Sequence, residues 1–205
     1  MTHLYIVRHG DSIYDTVDGK FPRRDLGLSA EGLKQAEHLR DRLKHSEEIK
    51  PDVLIASPER RAKETAEIIA PIFDMPIIFD EDVEEWRSDD GTLTDEEFMR
   101  PWEALSAAEK PYYRWIEGCE TLLEFSLRVN VAMNRILNEH QGKTILLASH
   151  GAFIQATFAY FFGFSLAIPP RVSPEIHHTS ITHWYRSDKQ ERWILERTND
   201  YHHLK

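Results

Sequence analysis

Residues 4–7 form a short apolar run that stops abruptly at Arg8, His9 and Gly10. Branched and aromatic residues bounded by a turn signal suit a buried strand of a parallel sheet. Residues 144–149 repeat the design, an apolar strand ending at His150 and Gly151. Ligands of open α/β sheets bind outside the carboxyl ends of the strands. Two strands from opposite ends of the chain therefore bring one histidine each to the same sheet edge. An arginine beside a histidine there suits nucleophilic attack on an anionic group. A surface Arg-His pair after a core strand fits the first run equally well, and the second copy tips the balance. Gly10, lacking a Cβ, lets the backbone turn sharply and approach a bound group.

Strands are also expected at 52–56 and 77–79, and alternating strands and helices predict an α/β fold with a mostly parallel sheet. A helix is expected at 29–46, with Leu33, Ala36, Leu39 and Leu43 on its buried face. Another is expected at 58–70, with Ser57 as N-cap and Pro58 in the first helical position. Its free N–H groups, with one first-turn arginine, would face an anion. Arg60 and Arg61 point about 100° apart on such a helix, so one of them turns outward. Thr121 and Glu124 form a capping box for a further helix, and the apolar stretch 152–162 reads as a buried helix stopped by Gly163. A hairpin, 180–186 with 192–197, closes the chain around a turn at 187–190.

A length of 205 residues suits one domain, 1–205. The formal charge of −10 argues against nucleic acid or an anionic membrane as partner. One cysteine, Cys119, excludes an internal disulfide and reads as a small hydrophobe in a reducing compartment. No signal-peptide pattern opens the chain and no segment nears the ~20 apolar residues of a membrane span, so a soluble cytoplasmic protein is expected. The pairs His177-His178 and His202-His203 lack metal-ligand spacing and read as surface residues; no metal is expected. Residues 84–118 break the rhythm with Trp86, Trp102, Trp115, Tyr112 and Tyr113, and with a capping box at Thr94 and Glu97. They read as a helical insertion packing its aromatics on the main domain.

Further motifs accompany the two histidines: Leu28-Ser29, Gly32 and Gln35-Ala36; Ser57 with Arg61-Ala62 and Thr65-Ala66; Ser149-His150-Gly151; and Thr179-Ser180-Ile181-Thr182 after His178. In this order the chain resembles the histidine phosphatase superfamily, also called phosphoglycerate mutase-like, on its phosphatase branch. The resemblance implies a three-layer α/β/α fold with a mostly parallel central sheet and a helical cap insertion at about 84–118. It also implies a metal-independent phosphomonoester hydrolase acting through a phosphohistidine on a small phosphorylated metabolite. His9 would be the nucleophile, with Arg8, Arg61 and His150, the last if protonated, around the phosphoryl group. One carboxylate beyond a middle strand would serve as acid and then base. The family spacing from Val83 points to Glu85, with Glu84 as the alternative. Ser12, Asp15 and Gly151 fall at substrate-binding positions, although Asp15 stands where relatives carry asparagine and an acid is a poor neighbour for phosphate. His178 replaces another asparagine.

No cofactor is implied, and a monomer or homodimer is expected. A cofactor-dependent phosphoglycerate mutase is the rival enzyme, but its paired arginines after a tyrosine are only partly echoed by Arg114 after Tyr112-Tyr113. An inactive phospho-ligand binding module is the rival of another class, and the retained catalytic positions argue against it.

Overall fold

The computed structural model describes residues 1–13, 25–166, 172–187 and 191–205. Asp15 and most of the expected turn at 187–190 lie outside the described residues. Four strands are parallel: β1 (Thr2–Arg8), β2 (Val53–Ala56), β3 (Ile77–Phe79) and β4 (Thr144–Ser149). The hairpin β5 (Ile181–Arg186) and β6 (Trp193–Asp200) runs antiparallel at one side, giving the order β3-β2-β4-β1-β5-β6. Arg8 lies opposite Ser149 in the register of β1 with β4, so His9 and His150 leave the sheet side by side.

The helices are α1 (Ala30–Ser46), α2 (Arg60–Ile69), α3 (Asp95–Ala104), α4 (Leu122–Glu139) and α5 (Gly151–Phe162). Side chains alternate across a strand. Leu4 and Ile6 accordingly join Phe125, Met133 and Phe153 in the core beneath α4 and α5. Tyr5 and Val7 join Leu39, Leu43 and Ile69 beneath α1 and α2 on the other face. Helices on both faces of the sheet make the three layers. The capping boxes at Thr94 and Thr121 form, and Gly163 stops α5 in the left-handed region.

Three local expectations are corrected. Leu33 is 45% exposed, and the buried stripe of α1 is Gly32, Ala36, Leu39 and Leu43. A Cβ on Gly32 would lie 1.9 Å from the Asp11 carbonyl oxygen, and one on Gly10 would lie 2.6 Å from the Gly32 oxygen. Gly10 therefore allows a close backbone contact with α1. Helix α2 starts at Arg60, later than Pro58, with Glu59 as N-cap. The Ser57 hydroxyl accepts the Glu59 N–H at 3.2 Å and meets His150 Nε2 at 2.8 Å, so the serine closes a turn ahead of the helix. The aromatics of 84–118 pack largely on one another: Trp115 stacks on Phe98 with centroids 4.2 Å apart and contacts Trp86 and Trp102. Trp86 carries the link to the main domain, against Phe125.

The paired histidines are not all surface residues either. His203 Nε2 meets Thr179 Oγ1 at 2.8 Å, while the His202 side chain is 79% exposed. Thr179 adopts φ +55°, an outlier for a β-branched residue. Its N–H donates to the Arg8 carbonyl at 3.0 Å. Nearby, Arg42 binds Asp200 at 2.6 Å and Glu48 at 2.7 Å, tying α1 to the end of β6. Among the described residues, no helix is long and apolar enough to cross a membrane.

Candidate active site

His9, buried at the end of β1, places Nδ1 2.7 Å from the Gly10 carbonyl oxygen. A carbonyl only accepts, so Nδ1 carries the proton and Nε2 the lone pair. The Arg61 Nε–H donates to that Nε2 at 3.1 Å. Burial, then His150 and Arg61, hold the His9 pKa well below the ordinary imidazole value. The result is a neutral ring with a basic nitrogen facing an arginine.

His150, fully buried, lies with its ring 5.2 Å from that of His9. Its Nε2 is 2.8 Å from Ser57 Oγ and 2.8 Å from Glu59 Oε2, and its Nδ1 has no hydrogen-bond partner among the described residues. Burial, then Arg61 and Arg8, lower its pKa well below the ordinary imidazole value, which favours the neutral ring. Arg8 donates to the Ile176 carbonyl at 2.5 Å, and Gly151 leaves room beside it: a Cβ there would sit 3.5 Å from Arg8 Nε. Ser12, three residues beyond His9, is buried and bridged to Leu28, and its hydroxyl has no partner among the described residues.

Each guanidinium nitrogen of Arg61 has a partner or counter-charge among the described residues. Besides His9, its Nη1 lies 3.3 Å from Asp25 and its Nη2 2.8 Å from Glu59. Its backbone N–H also reaches the Asp25 carboxylate, at 3.0 Å. The anion anticipated at the start of α2 is thus supplied by the chain itself. Arg60 turns outward and pairs with Glu64 at 2.7 Å.

Glu85 and Glu84 diverge. The Glu85 carboxylate accepts the N–H groups of Ala152 at 3.2 Å, Phe153 at 3.2 Å and Trp86 at 3.1 Å, sitting at the N-terminus of α5, where a negative charge is welcome. Burial raises its pKa, against the pull of these N–H groups and of Arg61. Glu84 instead pairs with Arg87 at 2.8 Å. The structure therefore gathers Arg8, His9, Arg61, Glu85, His150 and Gly151 at one edge. Sequence reasoning missed Glu59 and Asp25. Glu59 lies inside the Ser57–Arg61 motif, a signal that was available; Asp25 carries none. His178, with its ring 5.7 Å from that of His9, also belongs to this edge.

The family model described as histidine phosphatase superfamily (branch 1) matches residues 4–201. The chain belongs to this superfamily. It is 28% identical over 207 residues to the "Uncharacterized phosphatase PhoE" of Bacillus subtilis, covering 100% of this chain and 97% of that one. It is 31% identical over 220 residues to the "Probable phosphoglycerate mutase GpmB" of Escherichia coli O1:K1 / APEC, covering 100% and 95%. Among solved structures, Bacillus stearothermophilus YhfR superposes with a TM-score of 0.79 at 25% identity, covering 100% of both chains. The α/β architecture is that of histidine phosphatases.

Proposed function

We propose that this histidine phosphatase superfamily member is a metal-independent phosphomonoester hydrolase working through a phosphohistidine on His9. The observation that carries this is the fixed tautomer of His9, neutral, with its Nε2 lone pair aimed at the anion-binding Arg61. Phosphoryl transfer is largely positioning and charge stabilisation. Nε2 attacks phosphorus, and the bond to the ester oxygen breaks as that oxygen takes the proton of Glu85. Water then attacks the phosphohistidine while Glu85 takes a proton back, and inorganic phosphate leaves. Arg8 and Arg61 offer planar forks to the phosphoryl oxygens. A dianion beside His150 favours a proton on that ring, whose Nδ1 would then donate to it. These groups supply the positive charge that a divalent metal provides elsewhere.

The relatives bear names of both a phosphatase and a phosphoglycerate mutase. The hydrolase reading is favoured by Arg114, the partial echo of the mutase signature. Its guanidinium binds Glu124 at 2.6 Å and the Cys119 carbonyl, so it is engaged away from a second phosphate. Residues 84–118 are proposed as the cap that selects the substrate. Rapid quench with a radiolabelled monoester should reveal acid-labile, alkali-stable phosphate that disappears in His9→Ala. Label on His150 would reassign the nucleophile, and no turnover of p-nitrophenyl phosphate would favour a binding module. Dialysis against a strong chelator should leave the rate unchanged; a loss restored by magnesium or zinc would refute metal independence.

A further inference from the structure

Glu59 sits against two of the groups assigned above to the phosphoryl oxygens. Its Oε2 accepts from Arg61 Nη2 at 2.8 Å and lies 2.8 Å from His150 Nε2, and the Glu85 N–H approaches it at 3.4 Å. Arg61 and His150 are the groups assigned above to the phosphoryl oxygens, and Arg61 also touches the nucleophilic nitrogen. An anionic oxygen on the Arg61 fork competes with a phosphoryl oxygen for the same donor.

Simple positioning does not require this carboxylate. Asp25 already holds Arg61 by Nη1 and by its backbone N–H, and Ser57 already holds His150 Nε2. The backbone of Glu59 is fixed as the cap of α2, with its carbonyl accepting from Ala62 and Lys63, so the side chain can leave by rotation alone. That side chain is 25% exposed, which gives it an exit.

We propose that Glu59 is a specificity-determining residue of the phosphoryl site, an internal competitor that yields to the phosphoryl group of the substrate and weakens retention of product phosphate. The proposal rests on the phosphohistidine reading of His9. Substrate binding at Arg61 displaces its charge-assisted bond to Glu59, and a dianion and a carboxylate cannot share that fork without repulsion. Such a site turns over a monoester and then expels inorganic phosphate readily. That suits a hydrolase better than a transferase, which must keep the phosphoryl group bound.

The test is inhibition by inorganic phosphate of p-nitrophenyl phosphate hydrolysis, comparing the wild type with Glu59→Gln and Glu59→Leu. Both variants should bind phosphate more tightly, with Ki lowered by at least about tenfold, as removal of a juxtaposed like charge demands. An unchanged or raised Ki in variants that melt like the wild type would overturn the proposal and make Glu59 a support for Arg61 and His150. Should both variants fail to fold, Glu59→Asp, which draws the charge back by one methylene, should lower Ki by a smaller factor; an unchanged or raised Ki there counts equally against it. Detection of the His9 phosphoenzyme in the wild type separates the two ideas. Without that intermediate the function itself is wrong; with it, the Ki comparison judges Glu59 alone.

Discussion

His9 is bracketed by two contacts of opposite sense: Nδ1 donates to the Gly10 carbonyl at 2.7 Å, and Nε2 accepts from Arg61 at 3.1 Å. Its lowered pKa keeps the nucleophile neutral well into the acid range, so the acid limb of kcat/KM should fall below the ordinary imidazole value. Glu85 works in the opposite direction. It must be protonated to assist the leaving group, and burial raises its pKa, so the basic limb should appear as pH rises through that raised value. Glu85→Gln should remove the basic limb and slow hydrolysis of an alkyl phosphate about 10²–10⁴-fold. With p-nitrophenyl phosphate, whose leaving group hardly needs a proton, the loss should be far smaller; equal losses would show that Glu85 is not the acid. Arg8, His9 and His150 were legible in sequence because each stands at a strand end, whereas Arg61 was chosen over Arg60 only by the family spacing from Ser57. Glu59 and Asp25 were not, because a carboxylate's role is set by partners that only the fold brings near.

At the level of elements, the turn after β1, behind the proposed nucleophile, meets the first turn of α1 backbone on backbone. Alanine is normally worth about 1 kcal/mol over glycine inside a helix. Gly32→Ala should nevertheless destabilise, by about 1–3 kcal/mol, because its Cβ would fall 1.9 Å from the Asp11 oxygen and force the turn away. Denaturant unfolding measures the loss, and kcat should fall with it because Gly10 moves with Asp11. An unaltered unfolding midpoint would mean that the turn can shift without cost. The strand and helix pattern was readable from apolar periodicity and capping boxes. The start of α2 was misplaced because Ser57, a good N-cap by type, is drawn to His150 across the sheet edge. Leu33 was assigned to a buried face that Gly32 takes, since a helix packed backbone-close buries its smallest residue.

For the molecule as a whole, two further outcomes are expected. Asp200 is partly buried, which favours its neutral form, yet the bonds from Arg42 and His202 bring its pKa well below the usual carboxylate range. A depressed folded pKa stabilises at pH values above the unfolded value of about 3.9 and loses that effect as pH falls toward the folded value. Asp200→Asn should therefore cost about 2 kcal/mol at pH 7, or roughly 4–8 °C in Tm. The gap from wild type should narrow steadily below about pH 4, and thermal melts across pH would expose a gap that instead stays constant. The proposed cap spanning 84–117 holds ten acidic and four basic residues. A second phosphate would bring roughly −1.5 to −2 further charge into that field. Aryl or short alkyl monophosphates should exceed bisphosphates and phosphoglycerates in kcat/KM, and the reverse order would favour the mutase reading. The central place of β1 has one more effect. The strand bearing the nucleophile is the earliest of the six in the chain, yet it is hydrogen-bonded on one side to β4 and on the other to β5. The strained turn at Thr179 behind it is pinned by His203. On a translating ribosome, this proposed active edge would therefore be complete only once the turn His202–Leu204 has left the exit tunnel, long after the proposed nucleophile has been made.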